Sequence, residues 1–303
     1  MDILITISPI FIIIAFGYFL KARHIISERF ITETNRFVFR YPLPFLIFIG
    51  IVKSGTHGTP WLALASVTLP AFAVLAAGVI YARLAGYKGG KLGSFVQSTF
   101  HGNVTYVGLA VIFYLLGESG LEKGSLLIGT LILFNNALAI IILSLAGKRR
   151  HDPFKTTVSI ITTPIIIATA AGIACSWFGI PIPAVIMKSL EIVANVALPL
   201  ALIIIGGSIS FTMLKSTFFP SLVIMLLKEF ALPGLALGFY TFFSGKIEDA
   251  IPAILLLATP TAITTYIMAR EMKGDSQLTS GAITMTTLVS PAVYLFWMHV
   301  LKP

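Results

Sequence analysis

The sequence predicts an all-α polytopic membrane protein of ten transmembrane helices. They are expected as two inverted five-helix repeats, with helices 4 and 9 broken and crossing. Three observations carry that expectation. Only 11% of the 303 residues are charged and 57% are hydrophobic, whereas a soluble domain carries roughly a quarter charged residues. Apolar runs of about twenty residues, the length a bilayer requires, recur from one end of the chain to the other. Three landmarks also recur at one spacing: Pro9 and Pro164, Gly17 and Gly172, and Pro44 and Pro199 each lie 155 residues apart.

In chain order the expected spans are 3–20, 34–52, 61–85, 92–116, 124–147, 156–178, 184–208, 217–243, 250–271 and 277–300. The first run has no basic n-region, carries Asp2, and shows no small-residue cleavage site before Lys21. It therefore reads as a spanning helix, not a signal peptide. No hydrophilic stretch is long enough for an extramembrane domain, so one transmembrane domain over 1–303 is expected, with repeat one at 1–147 and repeat two at 156–303. Because five is odd, the second repeat enters the membrane from the opposite side. Such inverted repeats are typical of secondary transporters, whose binding sites are built on interrupted helices at the bilayer midplane.

The net charge of +9 points to nucleic acid only if the basic residues cluster on a soluble face; here they sit in short loops. Those after spans 1, 3, 5, 7 and 9 hold thirteen, among them Lys21, Arg83, Lys148, Arg149, Lys215 and Arg270, and the opposite side holds Lys53, Lys123, Lys188, Lys246 and Lys302. The positive-inside rule then places both termini outside the cytoplasm and the Lys148–Lys155 loop inside it, in a cell (inner) membrane. The lipid bilayer is the expected partner and nucleic acid is not. Cys175 stands alone, which excludes a disulfide framework or thiolate cluster. The chain has no GxSxG, no HExxH and no paired-aspartate metal motif, and its five histidines are scattered, so no enzyme, metal or cofactor is expected.

Two stretches interrupt otherwise helical spans. Leu255–Asp275 contains Thr259, Pro260, Thr261, Thr264 and Thr265, and Pro260 makes a continuous helix costly. His101–Gly108 contains Gly102, Asn103, Thr105 and Tyr106. They fall in the fourth span of each half, so pseudo-symmetry pairs them as one site. The ninth span is expected to be clearly broken and the fourth to be kinked through Gly102 and Gly108.

Several segments together resemble the auxin efflux carrier family: Pro9-Ile-Phe with Gly17-Tyr18; Asn35-Arg-Phe-Val-Phe leading to Leu43-Pro44; Gly102-Asn103 followed by Gly108-Leu109; Lys228 five residues before Pro233; and Pro260 leading to Tyr266-Ile-Met-Ala269. The resemblance covers nearly the whole chain, and the short central loop is like that of prokaryotic malate/malonate-permease-like members. It implies a carrier of small organic anions (mono- or dicarboxylates) working by an elevator-like or rocking motion, on a fold like that of sodium–proton antiporters and bile-acid symporters. Spans 1, 2, 6 and 7 would form a scaffold, with a homodimer possible through it, and spans 3–5 and 8–10 a transport part. Two positions depart from the family: Ala110 stands where proline is usual, and Thr264 where asparagine is usual.

Each candidate has a plainer alternative. Asn103 either caps a half-helix or faces the substrate. Thr105, Tyr106, Thr259, Pro260, Thr261 and Thr264 are substrate-contact candidates, although threonines in membrane helices often only satisfy carbonyls. Asn136 and Ser290 occupy comparable places in the two halves and either line the crossing or join helices. His101, Lys228, Glu229 and Arg40 are candidates for coupling or charge balance. For Lys228-Glu229 an internal ion pair is the rival reading, and Arg36 reads as a snorkelling residue. Trp61, Trp177 and Trp297 read as interfacial belt anchors. A sodium- or proton-coupled symporter or antiporter of related fold is the alternative function, set lower because the crossings lack acidic residues.

Overall fold

A computed structural model describes residues 3–54, 61–147, 158, 162–243 and 246–301. The Lys148–Lys155 loop, His57, His151, Lys302 and the Trp61 side chain lie outside the described residues.

The described elements are helices. They are α1 (Ile3–Ala22), α2 (Glu28–Arg40), α3 (Pro42–Ser54), α4 (Trp61–Leu84), α5 (Gly89–Ser98), α6 (Leu109–Ala146), α7 (Pro164–Trp177), α8 (Ala184–Ala194), α9 (Ala197–Gly207), α10 (Phe211–Ser216), α11 (Phe218–Met225), α12 (Leu232–Phe242), α13 (Ile247–Leu257), α14 (Ile263–Glu271) and α15 (Ser276–Val300). A π-helical turn, Val104–Gly108, leads into α6, and another, Leu226–Ala231, joins α11 to α12.

Among the described residues eight helical stretches are long and apolar enough to cross a membrane: Ile5–Ala22, Glu28–Lys53, Leu62–Leu84, Val104–Leu121, Lys123–Ala146, Ala184–Gly207, Phe218–Phe242 and Ser276–Val300. Where the sixth span is expected there is the shorter apolar α7, and where the ninth is expected there are the two short helices α13 and α14. Large apolar side chains such as Ile12, Phe16, Phe72 and Phe219 are exposed. Outward-facing apolar residues at this density suit lipid rather than water.

The breaks have local causes. Tyr41 leaves helical geometry (φ −129°, ψ −69°), because the residue before a proline is pushed out of the α region. Pro42 then opens α3, where its missing N–H leaves nothing unsatisfied. The corresponding interruption at Asn195 and Val196 ends with α9 starting at Ala197, 155 residues after Pro42. Inside α6, Gly117 (φ 69°, ψ −160°) takes a conformation that only glycine adopts readily and turns the chain between the fourth and fifth spans.

The chain forms two compact units. The first comprises Met1–Pro60, Thr105–Leu133 and Val158–Ser208. In it α1 packs along α9, and α3 packs along α7 and α8. Glycines permit the close approach. A Cβ on Gly17 would collide with the Ile203 backbone, and one on Gly206 with the Ile14 carbonyl oxygen. A Cβ on Gly172 would lie 3.3 Å from the Phe48 carbonyl oxygen. Phe48 and Ile203 are themselves 155 residues apart, as are Gly17 and Gly172. The α1–α9 and α7–α3 contacts thus fall at positions one 155-residue offset apart along the chain. Lys53 and Glu191 add an ion pair at 3.0 Å between α3 and α8.

The second unit comprises Trp61–Val104, Phe134–Thr157 and Ile209–Pro303. Its central element is α15, which packs against α5, α10, α11, α13 and α14. A Cβ on Gly281 would meet the Thr217 hydroxyl, so the glycine lets α15 and the α10–α11 corner touch. Trp297 departs from expectation. It is buried, and its indole N–H donates to the Glu229 carbonyl at 2.8 Å; it locks α15 to the neighbouring π-helical turn instead of anchoring at an interface. Trp177, 75% exposed at the end of α7, fits an interfacial position.

Gly206→Leu should destabilise the protein by about 1–3 kcal/mol through overpacking, read as a lower midpoint of thermal unfolding in detergent. Gly238→Leu is the comparison: a Cβ there meets nothing within 4 Å, and its midpoint should stay close to the parent value.

Candidate functional site

The second unit brings its two interrupted helices together. α13 stops at Leu257. Pro260 has no N–H to continue it and biases Thr259 out of the helical region. The Thr259 hydroxyl turns back onto the Leu256 carbonyl at 2.7 Å. α5 stops at Ser98, and the Thr99 hydroxyl makes the matching bond to the Val96 carbonyl, also 2.7 Å. Beyond these ends both chains are non-helical and run side by side as an antiparallel bridge between Gly102 and Thr261. The Asn103 N–H donates to the Pro260 carbonyl at 2.7 Å, and the Ala262 N–H to the His101 carbonyl at 2.9 Å. α14 restarts at Ile263 and the π-helical turn at Val104.

The fourth span is therefore broken outright, not kinked as the sequence suggested. Its break needs no proline, because the ninth span supplies acceptor and donor to the backbone groups that leave the helix. Ala110, where the family has proline, lies within α6 beyond the break. Two further bonds secure the crossing. The Thr261 N–H donates to the Thr286 hydroxyl on α15 (3.0 Å), and the Thr261 hydroxyl donates to the Ser98 carbonyl (3.2 Å).

Lys228 lies beneath this bridge. It is 1% exposed, on the π-helical turn Leu226–Ala231, and its ammonium donates to the carbonyls of Leu257 (2.5 Å) and Thr259 (2.9 Å). Those are carbonyls that the end of α13 leaves without helical partners, and a cation there also opposes the negative end of the helix dipole. Gly102 is the point of contact: a Cβ on it would sit 2.8 Å from the Lys228 nitrogen and collide with the Thr259 hydroxyl. The rival reading of Lys228-Glu229 as an internal ion pair does not hold. Among the described residues the ion pairs are Lys21–Glu28, Arg29–Glu33 and Lys53–Glu191.

The remaining candidates sort by unit. In the second unit, His101 and Asn103 are buried, and the His101 Nε2 is hydrogen-bonded to the half-buried Thr264 hydroxyl at 3.3 Å. The His101 Nδ1 has no partner. Thr265 bonds the carbonyl of Ala262, which caps the start of α14 (2.7 Å), and Ser290 bonds the Thr287 carbonyl within α15 (2.8 Å). Asn136 is half-buried on α6. In the first unit, Thr105 is half-buried, and the Tyr106 hydroxyl bonds the Asn35 side-chain oxygen at 2.5 Å. Arg40 is exposed in the last turn of α2. Sequence reasoning missed Thr286 and Ser98. The signal for Thr286 was there in the buried polar run Thr284-Met285-Thr286-Thr287 within a spanning helix; Ser98 acts through its backbone carbonyl, which side-chain chemistry does not announce.

Comparison with known proteins bears on this geometry. The profile of the family described as "Membrane transport protein" matches residues 2–153 and 148–298. An uncharacterized transporter of Methanothermobacter thermautotrophicus is 23% identical over 299 residues, covering 98% of this chain and 97% of the relative. One of Methanocaldococcus jannaschii is 23% identical over 309 residues, covering 96% of each. A Rhizobium meliloti protein described as a proposed malonate transporter is 23% identical over 213 residues, covering 67% of this chain and 65% of the relative. The family and these relatives are transporters, not enzymes.

Thr286→Val leaves the Thr261 N–H buried without an acceptor, which costs about 1–3 kcal/mol. Its thermal midpoint in detergent should fall clearly below that of Thr241→Val, an exposed position whose hydroxyl only bonds its own helix.

Proposed function

The chain belongs to the membrane transport protein family, the family of the auxin efflux carriers, and from that premise we propose that it is a secondary carrier of a small organic anion. The single observation that carries this reading is the Gly102–Thr261 crossing of two interrupted helices with a buried ammonium directly beneath it. Interrupted helices at membrane depth are tolerated only where protein or a water-filled cavity surrounds them, and they are where transporters place substrates.

An anion suits the local charge. Lys228 forms an ion pair with no carboxylate among the described residues, and the Ile263 and Thr264 N–H groups that open α14 precede the first helical hydrogen bond. His101, Asn103 and Thr264 carry the substrate contacts. Thr259, Pro260 and Thr261 frame the crossing and take part through their backbone. A mono- or dicarboxylate of malonate size is the substrate class, in keeping with the description of the Rhizobium relative.

The same reading holds ten spans in two inverted repeats, both termini outside the cytoplasm, and alternating access. The common 155-residue offset of the landmarks, of the α3 and α9 starts and of the Gly17 and Gly172 contacts supports the repeat. Spans 1, 2, 6 and 7 act as scaffold, through which the chain forms a homodimer, and spans 3–5 and 8–10 as the transport part. The first unit gathers the described parts of the former and the second those of spans 3, 8, 9 and 10; spans 4 and 5 are divided between the two units.

Malonate in excess should raise the thermal midpoint of the purified protein; at a hundred times its Kd the gain is about 2.7 kcal/mol. Asn103→Ala should stay folded, with a single cooperative thermal transition without malonate, and lose the gain with it. Full retention of the gain would put the site elsewhere, and no gain across a broad panel of carboxylates would count against an anion carrier.

A further inference from the structure

Glu229 is the one buried carboxyl group among the described residues, at 0% exposure, and neither of its oxygens has a hydrogen-bond partner. Its neighbour Lys228 is committed to the carbonyls of α13 and forms no ion pair with it. The turn that carries it packs against α4, α11, α12 and α15. Residues 62–80 of α4 contain no ionisable side chain, and neither does α11; α4 ends with Tyr81 and Arg83, and α12 contributes only Tyr240. α15 contributes Tyr294 and, near its end, His299. Tyr294 is fully buried, lies within electrostatic reach of Glu229, and its hydroxyl also lacks a partner. One turn further on, Trp297 holds the Glu229 carbonyl.

An ionised carboxylate cannot persist in such a place. Without donors or a paired cation its desolvation far exceeds what the fold supplies, so the group takes up a proton. A purely structural role is also poorly served, because Glu229 makes no side-chain bond. Ionisable groups inside membranes mark ion and proton pathways, and the π-helical turn beneath this one is a local geometry that recurs at functional sites.

We infer that Glu229 is the proton-carrying group of the carrier, holding a proton in this conformation and exchanging it with water on either side of the membrane as the anion moves. The inference rests on the carrier reading above and adds its coupling ion. Lys228 links the two events. A carboxylate at the crossing and an ionised Glu229 draw on the same ammonium, so anion binding favours proton uptake, and by reciprocity proton uptake favours anion binding. The result is symport of an anion with a proton. Sodium fits less well: the unpartnered oxygens here are the two of Glu229 and the Tyr294 hydroxyl, too few to replace the hydration of a metal cation, and Lys228 repels one.

Two measurements test this. Infrared spectroscopy of the purified protein at neutral pH should show a protonated-carboxyl band that Glu229→Gln removes. Because no other carboxyl among the described residues is buried, the parent protein alone is informative if the variant fails to fold; absence of the band overturns the inference whether or not malonate is a substrate. In proteoliposomes with the membrane potential held at zero by potassium and valinomycin, an outside pH one unit below the inside should drive roughly tenfold accumulation of labelled malonate, the size of the proton gradient itself for one proton per dianion. Glu229→Gln should keep malonate counterflow and lose that accumulation. Accumulation retained in Glu229→Gln, or driven by sodium and not by pH, overturns the inference. Absence of counterflow in the parent protein speaks against the carrier reading for malonate and leaves the infrared result to decide the proton.

Discussion

Every backbone group that leaves a helix inside a membrane must find a partner, and the second unit is arranged around meeting that demand twice in one place. The end of α5 and the end of α13 each free donors and acceptors. The Gly102–Thr261 bridge lets each break satisfy the other, with Asn103, Pro260, His101 and Ala262 supplying the two backbone bonds. Neither break is stable by itself in lipid. The pair is, and it encloses a short, buried, non-helical segment flanked by helix ends.

The side chains around the bridge follow from the same demand. Thr259 and Thr99 close their own helix ends, Thr261 reaches across to Ser98, and Thr286 accepts the Thr261 N–H. Lys228 takes the carbonyls that remain, with charge–dipole attraction as well as hydrogen bonds. Gly102 is required because Lys228 and Thr259 occupy the space a side chain would need. Threonine density at a membrane break is therefore mainly structural here. The groups left with free capacity are the His101 ring, which keeps Nδ1 unpartnered, and the half-buried Thr264.

Much of this was legible in the sequence, because membrane proteins write their constraints in residue types. Apolar run length marked a polytopic all-α membrane protein, of which eight stretches among the described residues are long enough to span, Pro260 marked the interruption after α13, and Gly17 and Gly172 marked close helix contacts that the structure makes. What was not legible depended on partners far along the chain. The full break of the fourth span has no proline to announce it; it exists because Pro260 and Ala262 stand opposite. The pairing of Lys228 with carbonyls, not with Glu229, follows from where α13 ends, which local patterning does not give. Trp297 looked interfacial by position near a span end, yet the wide π-helical turn opposite offers the Glu229 carbonyl to its indole.

Lys228 and Glu229 show how adjacent residues in one turn acquire opposite roles. The Lys228 nitrogen has two carbonyl acceptors at the end of α13, so it holds a structural bond on that side. The carboxyl faces Tyr294 and apolar walls, with nothing to support a negative charge except the same ammonium at longer range. Replacing both residues by apolar ones would leave the crossing without its cap on one side and remove nothing structural on the other. A group that adds no side-chain bond and carries a desolvation penalty is best explained by a state other than the one observed, in which it ionises. Under the carrier reading proposed above, a transport cycle supplies that second state.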